Sequence, residues 1–361
     1  MTTSPDHPTS RHCWAVFRFI ICCLSADFIE DTVKPFLKAN EKNPSCLSDL
    51  DDTDKNADLD GTVIIAMGYE SQVNDHEGNN SIELRVFDFK NGKWIPLVQN
   101  VKISRRNCKV DCCNIVSIEN YVALYCTEDT SKAIVYNFKT GKISNSMMNI
   151  PKHNKLVALE GRVYAVGLMH NDLSVKVLRE GRWRIGASMS RERLAANVVA
   201  HDGKIYVLGG MEMYDRATPT AEAYDPVKDE WESIPSMLTA RFAQQVCGSG
   251  AASLGGNIYV VGGYGHNYET LATGDTGECF DPKTKMWTRI SNMIDDRVHV
   301  GAVANNGALF VVKYCCEIEK YIPKSNTWET VKTDNSDDFQ IEALCTLSKK
   351  YLPKTLFNNN E

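Results

Sequence analysis

The chain has 361 residues, more than the ~100–200 of one ordinary domain, so it holds several domains or one large repeat architecture. Hydrophobic residues make up 43% and charged residues 24%, which excludes a wholly disordered chain and a collagen-like fibre. Forty Lys and Arg against 46 Asp and Glu give a net charge of −6, which removes the electrostatic basis for coating nucleic acid.

Residues 1–13 read as a disordered N-terminus and 14–50 as a short helical segment. Within it, Ser25 stands as the N-cap of a helix over Asp27–Lys38, with Glu30 and Asp31 near its positive end. The apolar run Phe19–Leu24 follows Arg11 and Arg18 but is shorter than the ~7–15 residues of a signal-peptide core, so a cytoplasmic location is expected. No stretch approaches the ~20 apolar residues of a membrane-spanning helix, so no membrane partner is expected either. The sequon Asn79-Asn80-Ser81 would matter only in a secreted chain.

Residues 51–60 read as an acidic linker, and the acid is local: Asp49–Asp60 holds six Asp and one Lys. Asn56 to Gly61 imitates the first half of a calcium-binding loop. Its twelfth position is Met67, however, which cannot supply the closing carboxylate, so no metal is expected there. Thirteen cysteines form no Cys-x-x-Cys pair, and their odd number and irregular spacing argue for buried thiols over a disulfide framework.

From Gly61 onward the chain repeats. Gly203-Lys204-Ile205-Tyr206-Val207-Leu208-Gly209-Gly210 is nearly copied by Gly256-Asn257-Ile258-Tyr259-Val260-Val261-Gly262-Gly263. Weaker copies start near 61, 119, 161 and 307. An aromatic stands seven residues before an apolar anchor in Phe87/Trp94, Tyr136/Ile143, Tyr224/Trp231, Phe280/Trp287 and Tyr321/Trp328, and the third unit is one residue short, Val177 to Trp183. Trp, five spacers, Met, three spacers and Arg recur as Trp183/Met189/Arg193, Trp231/Met237/Arg241 and Trp287/Met293/Arg297.

Three markers in one phase define six units, each of four short strands. In the fourth unit these are Ala195–His201, Lys204–Leu208, Ala221–Tyr224 and Glu230–Ile234. One such sheet cannot bury both faces alone, whereas six arranged radially can. The first unit starts at its second strand, and Phe339–Leu347 is left over after the sixth. The expected fold is therefore an all-β, six-bladed propeller over 61–347, closed by the C-terminal strand, with 348–361 as a tail.

Gly-Gly, then aromatic-Asp-Pro, then Trp and Met at these offsets resemble the kelch repeat. Val16 to Ile29 and Asn43 to Leu50 look like the C-terminal end of a BACK domain, the helical module that joins BTB to kelch in kelch-like ubiquitin-ligase adaptors. The resemblance implies substrate recognition in a cullin-type E3 ligase. With the BTB domain and most of the BACK domain lacking, cullin binding is expected only through a BTB-containing partner. The alternative the family offers is an actin-binding scaffold.

No nucleophile elbow, phosphate loop or metal-binding helix is present, and the eight His show no ligand spacing, so no enzyme activity and no cofactor are expected. The expected partner-binding surface lies on one rim. Arg193, Arg241 and Arg297 occupy equivalent positions in three units, and Arg105 or Arg106 stands in the first-to-second connection. Arginines at this motif position line substrate pockets in the resembling receptors, which implies a protein ligand with an acidic or phosphorylated motif. Tyr214, Tyr264, His266 and Tyr268 stand in the long loops alongside and would add contact area. The competing expectation is that these arginines cap strand carbonyls or pair with acids between blades.

Overall fold

Short β-branched and aromatic runs, separated by glycine and Asp-Pro turns, fold into six antiparallel four-stranded sheets. The computed structural model describes residues 61–70, 81–102, 113–126, 133–146, 150–169, 171–179, 181–212, 216–243, 250–265, 274–295, 300–313, 317–333 and 339–352. The expectations for residues 1–60 and 353–361 lie outside these.

From inner to outer strand, blade 1 comprises Phe339–Ser348, Thr62–Glu70, Ser81–Asp88 and Lys93–Lys102. Blade 2 comprises Cys113–Ile118, Tyr121–Cys126, Ala133–Asn137 and Lys142–Ser146. Blade 3 comprises Asn154–Leu159, Arg162–Gly167, Ser174–Arg179 and Arg182–Ser188. Blade 4 comprises Asn197–His201, Lys204–Leu208, Ala221–Asp225 and Glu230–Ile234, with a small hairpin of Met211–Glu212 and Arg216–Ala217 set between its second and third strands. Blade 5 comprises Ala251–Leu254, Asn257–Val261, Gly277–Asp281 and Met286–Arg289, and blade 6 Val300–Asn305, Ala308–Lys313, Ile318–Ile322 and Thr327–Val331.

The inner strands of neighbouring blades lie side by side around the whole ring, so the propeller is closed. Closure comes from the C-terminal strand, which pairs with Thr62–Glu70 from Thr62↔Ser348 to Glu70↔Phe339, across a bulge at Met67/Gly68. Phe339 and Ile341 pack toward blade 6, while Ala343, Cys345 and Leu347 pack toward blade 2. One strand thus serves two interblade cores.

Both faces of each blade are apolar because both are covered. In blade 4, Ile205 and Val207 face the core shared with blade 3, while Tyr206 and Leu208 face the core shared with blade 5. The aromatic–Trp marker is a cross-strand pair, with ring centroids 5.2 Å apart for Tyr224–Trp231, 4.9 Å for Phe280–Trp287 and 5.1 Å for Tyr321–Trp328. Each of these Trp side chains also ties its blade to the preceding one. The indole N–H groups of Trp231, Trp287 and Trp328 donate to the carbonyls of Ala187, Pro235 and Ser291.

Three details differ from the sequence reading. Trp183 pairs with Leu178 and not Val177, because only two residues separate Arg179 from its partner Arg182, where blade 4 has four between Asp225 and Glu230. In blade 1 the register Ile65↔Val86 sets Ile64 beside Phe87, as Ile205 sits beside Tyr224, so the first copy starts at Thr62 and not Gly61, and Gly68 takes the place of Gly209. The inner strand of blade 4 begins at Asn197, since Leu194 instead bridges to Met211 and Ala195 turns at φ +55°.

Candidate functional site

In a four-stranded meander, the second-to-third loops and the connections between blades emerge on one rim, and the tight hairpin turns on the other. The double glycines bring these two kinds of loop together. Gly209 and Gly210 have φ of +66° and +99°, and a Cβ on Gly209 would run into the Arg241 carbonyl. Gly210 N donates to that carbonyl at 2.9 Å. The residue after the glycines then pairs with the residue after the arginine, Met211 with Leu194 and Tyr264 with Phe242.

This close approach fixes the arginines. Arg193 is 1% exposed: it donates from Nε and Nη2 to Glu222 Oε1 at 3.2 and 3.1 Å, and from Nη1 to the carbonyls of Gly209 and Thr220 and to Thr220 Oγ1. Arg241 is 0% exposed and repeats the arrangement one blade on. Its Nη2 donates to Glu278 Oε1 at 2.8 Å and to Thr276 Oγ1, and its Nη1 donates to the carbonyls of Gly262 and Thr276. Burial lowers the pKa of both arginines, and the paired glutamates oppose that shift. The other oxygen of each glutamate accepts a backbone N–H from the residue after the motif Met, Ser190 for Glu222 and Leu238 for Glu278. Ile294 N does the same for Glu319 at 2.9 Å.

Arg193 and Arg241 therefore depart from the expectation of ligand-facing cations beside the central channel. Each guanidinium lies between two blades, neutralised by a carboxylate and capping strand carbonyls. Arg297, Arg105, Arg106, Tyr214, His266 and Tyr268 lie outside the described residues. The acceptors carry a sequence signal of their own. Glu222, Glu278 and Glu319 each stand two residues before the third-strand aromatic, a spacing that, joined to Met-x-x-x-Arg, marks the clamp.

Tyr264 is on the rim. Its ring stacks on Phe242 with centroids 5.5 Å apart and an interplanar angle of 21°, over a cluster of Met211, Ala217 and Phe242. Leu194, Ala195 and Ala240 flank it, and the Arg191–Glu212 pair at 3.1 Å spans the blade 3–4 junction nearby. Among the described residues, no three His, Cys, Asp or Glu converge as a metal-binding group, and no helix is long and apolar enough to cross a membrane.

Comparison with known proteins agrees with this geometry. The Kelch motif matches residues 192–238 and 245–294, in and around blades 4 and 5. An F-box/kelch-repeat protein of Arabidopsis thaliana is 36% identical over 113 residues, 31% of this chain and 27% of its own. Kelch-like protein 23 of Pongo abelii is 29% identical over 272 residues, 69% of this chain and 45% of its own. Alpha-scruin of Limulus polyphemus is 29% identical over 133 residues, 36% of this chain and 14% of its own. The chain spans less than half the length of each of these relatives. It carries kelch motifs on a six-bladed propeller and is homologous to kelch-like proteins.

Proposed function

We propose that this chain is a non-enzymatic, protein-binding propeller that receives substrates for a cullin-type ubiquitin ligase, joining the cullin through a BTB-containing partner. The observation that carries the reading is the rim at blades 4 and 5. There a stacked Tyr264–Phe242 pair and a small hairpin stand on a base held rigid by two buried Arg–Glu clamps. Rigid scaffolds that present aromatic side chains in loops favour protein recognition, because little side-chain entropy is lost on contact. Since Glu222 and Glu278 neutralise the two buried arginines, contact at this rim is led by Tyr264. Tyr214, His266, Tyr268, Arg297, Arg105 and Arg106 are the further contact residues proposed.

The test is reconstitution of the full chain with a purified cullin, with and without a BTB-containing kelch-like protein. Co-elution with the cullin only when that protein is present is the expected result. Tight binding to the cullin alone would contradict the arrangement, and cosedimentation with actin filaments without cullin recruitment would favour a cytoskeletal scaffold.

A further inference from the structure

Blade 3 is strongly basic. Between Ile150 and Leu194 there are nine Lys and Arg against four Asp and Glu, in a chain whose net charge is −6. Three of these arginines gather on its outer hairpin. Arg179 lies directly opposite Arg182, and Arg184 lies opposite Val177, so all three side chains share the sheet face turned toward blade 4. All three are exposed, and none has an ion pair or hydrogen bond to a described residue.

Like charges directly opposite on paired strands are unfavourable, and the equivalent place in blade 4 carries the other sign, Asp225 opposite Glu230. Blade 4 pairs Lys204 with Glu232 at 2.6 Å, and blade 6 brings Lys320 within 3.8 Å of Glu329. The facing carboxylate of blade 4, Asp229, accepts from the Tyr224 hydroxyl at 2.7 Å and the Ala187 N–H at 2.8 Å and forms no direct ion pair with the three arginines.

The same hairpin offers a backbone to pair with. Arg182–Ser188 is the outermost strand of its sheet, with no strand on its far side among the described residues. On the opposite sheet face from the arginines, Ile185 is 76% exposed. A strand added at this edge would present alternate residues to the two faces. One set would meet Arg182 and Arg184 and the other Ile185. The arginines sit at the tight-turn end of blade 3, on the rim opposite Tyr264.

We infer that the outer edge of blade 3 is a second docking surface, which takes an extended acidic segment of a protein partner in which carboxylates alternate with apolar residues. Charge complementarity selects the acid, and strand alternation selects its spacing. A block of consecutive acids would place half its charges over Ile185.

The probe is a labelled peptide of five Asp-Leu repeats, titrated by fluorescence anisotropy against the full chain. Saturable binding is expected, with affinity falling at least tenfold for Arg179→Glu/Arg182→Glu/Arg184→Glu. A similar fall is expected for a peptide of the same composition with its Asp and Leu in blocks. The Arg179→Gln/Arg182→Gln/Arg184→Gln variant covers the case in which the glutamate variant misfolds, and is expected to weaken binding in the same direction. Arg191→Glu, on the opposite rim, is expected to leave binding unchanged. Equal affinity in a folded triple variant, an equal loss with Arg191→Glu, or tighter binding of an oligonucleotide of the same length would overturn the inference.

Discussion

Replacing Arg241 with Met is predicted to loosen the junction of blades 4 and 5 while leaving the rim surface chemically unchanged. The guanidinium serves Gly262 O, Thr276 O, Thr276 Oγ1 and Glu278 Oε1, all from a side chain 0% exposed. Met keeps the apolar stem but leaves the Glu278 carboxylate buried, with the Leu238 N–H as its remaining donor among the described residues. Breaking one side of a buried pair costs about 3–5 kcal/mol, against a total stability of about 5–15 kcal/mol. With a urea slope of about 3 kcal/mol/M, a loss of 4 kcal/mol moves the midpoint down by about 1.3 M. The assay is urea unfolding followed by tryptophan fluorescence, with hydrogen exchange reporting whether the blade 4–5 junction opens before the blade 3–4 junction. The double variant Arg241→Met/Glu278→Met, which buries no charge, should recover more than half of the loss. A single variant within about 0.5 kcal/mol of the parent, or a double variant no better than the single, would refute the clamp.

Ending the chain at residue 338 removes three large buried side chains, Phe339, Ile341 and Leu347, together worth about 5–9 kcal/mol of burial, and opens blade 1 along its whole second strand. The truncated protein should fail to fold at 37 °C, and thermal melting at the parent temperature would contradict ring closure. Gly209→Ala should cost about 2–5 kcal/mol, from a left-handed φ of +66° plus overlap with the Arg241 carbonyl, read as a lowered urea midpoint. Lys155, on the inner strand of blade 3, has its pKa pulled down by burial to about 8 from 10.5. Between these values the unfolded chain holds the proton and the folded chain does not, so the penalty is full below pH 8 and stability rises as pH climbs through this window. Lys155→Met should therefore stabilise the protein at pH 7 and flatten that rise, as measured by unfolding midpoints from pH 7 to 10.5.

The parts of the fold legible in the sequence are those where one residue type alone meets a geometric need. Gly209-Gly210 and Gly262-Gly263 recur because a Cβ would collide with the neighbouring connection, and Trp231, Trp287 and Trp328 recur because an indole fills the interblade core while its N–H reaches the preceding blade. The strand left over at Phe339 was legible by counting alone. The clamp was not. Its acceptors are glutamates in three blades, but the equivalent positions hold Arg85, Ile134 and Lys176 in the others. A glutamate between apolar neighbours also reads as a solvent-facing strand residue. Arg193 and Glu222 are 29 residues apart and meet only across a blade junction, so equivalent spacing showed that the arginines repeat without showing which way they point. In the blade 3 hairpin the turn is shorter than those of its neighbours, which shifts the partner of Trp183 by one residue from the position that the aromatic spacing implies.

The most direct test of the central claim is to compare the proteins captured from cells by the full chain and by its Tyr264→Ala variant, with unfolding midpoints measured in parallel. Tyr264 lies on the rim, and its loss removes a half-buried ring stacked on Phe242 without touching either Arg–Glu clamp. The account predicts a partner that the parent captures and the variant loses, with the two unfolding midpoints within about 0.3 M urea of each other, a difference of about 1 kcal/mol. An unchanged set of captured proteins from a folded variant would place the binding surface elsewhere on the ring.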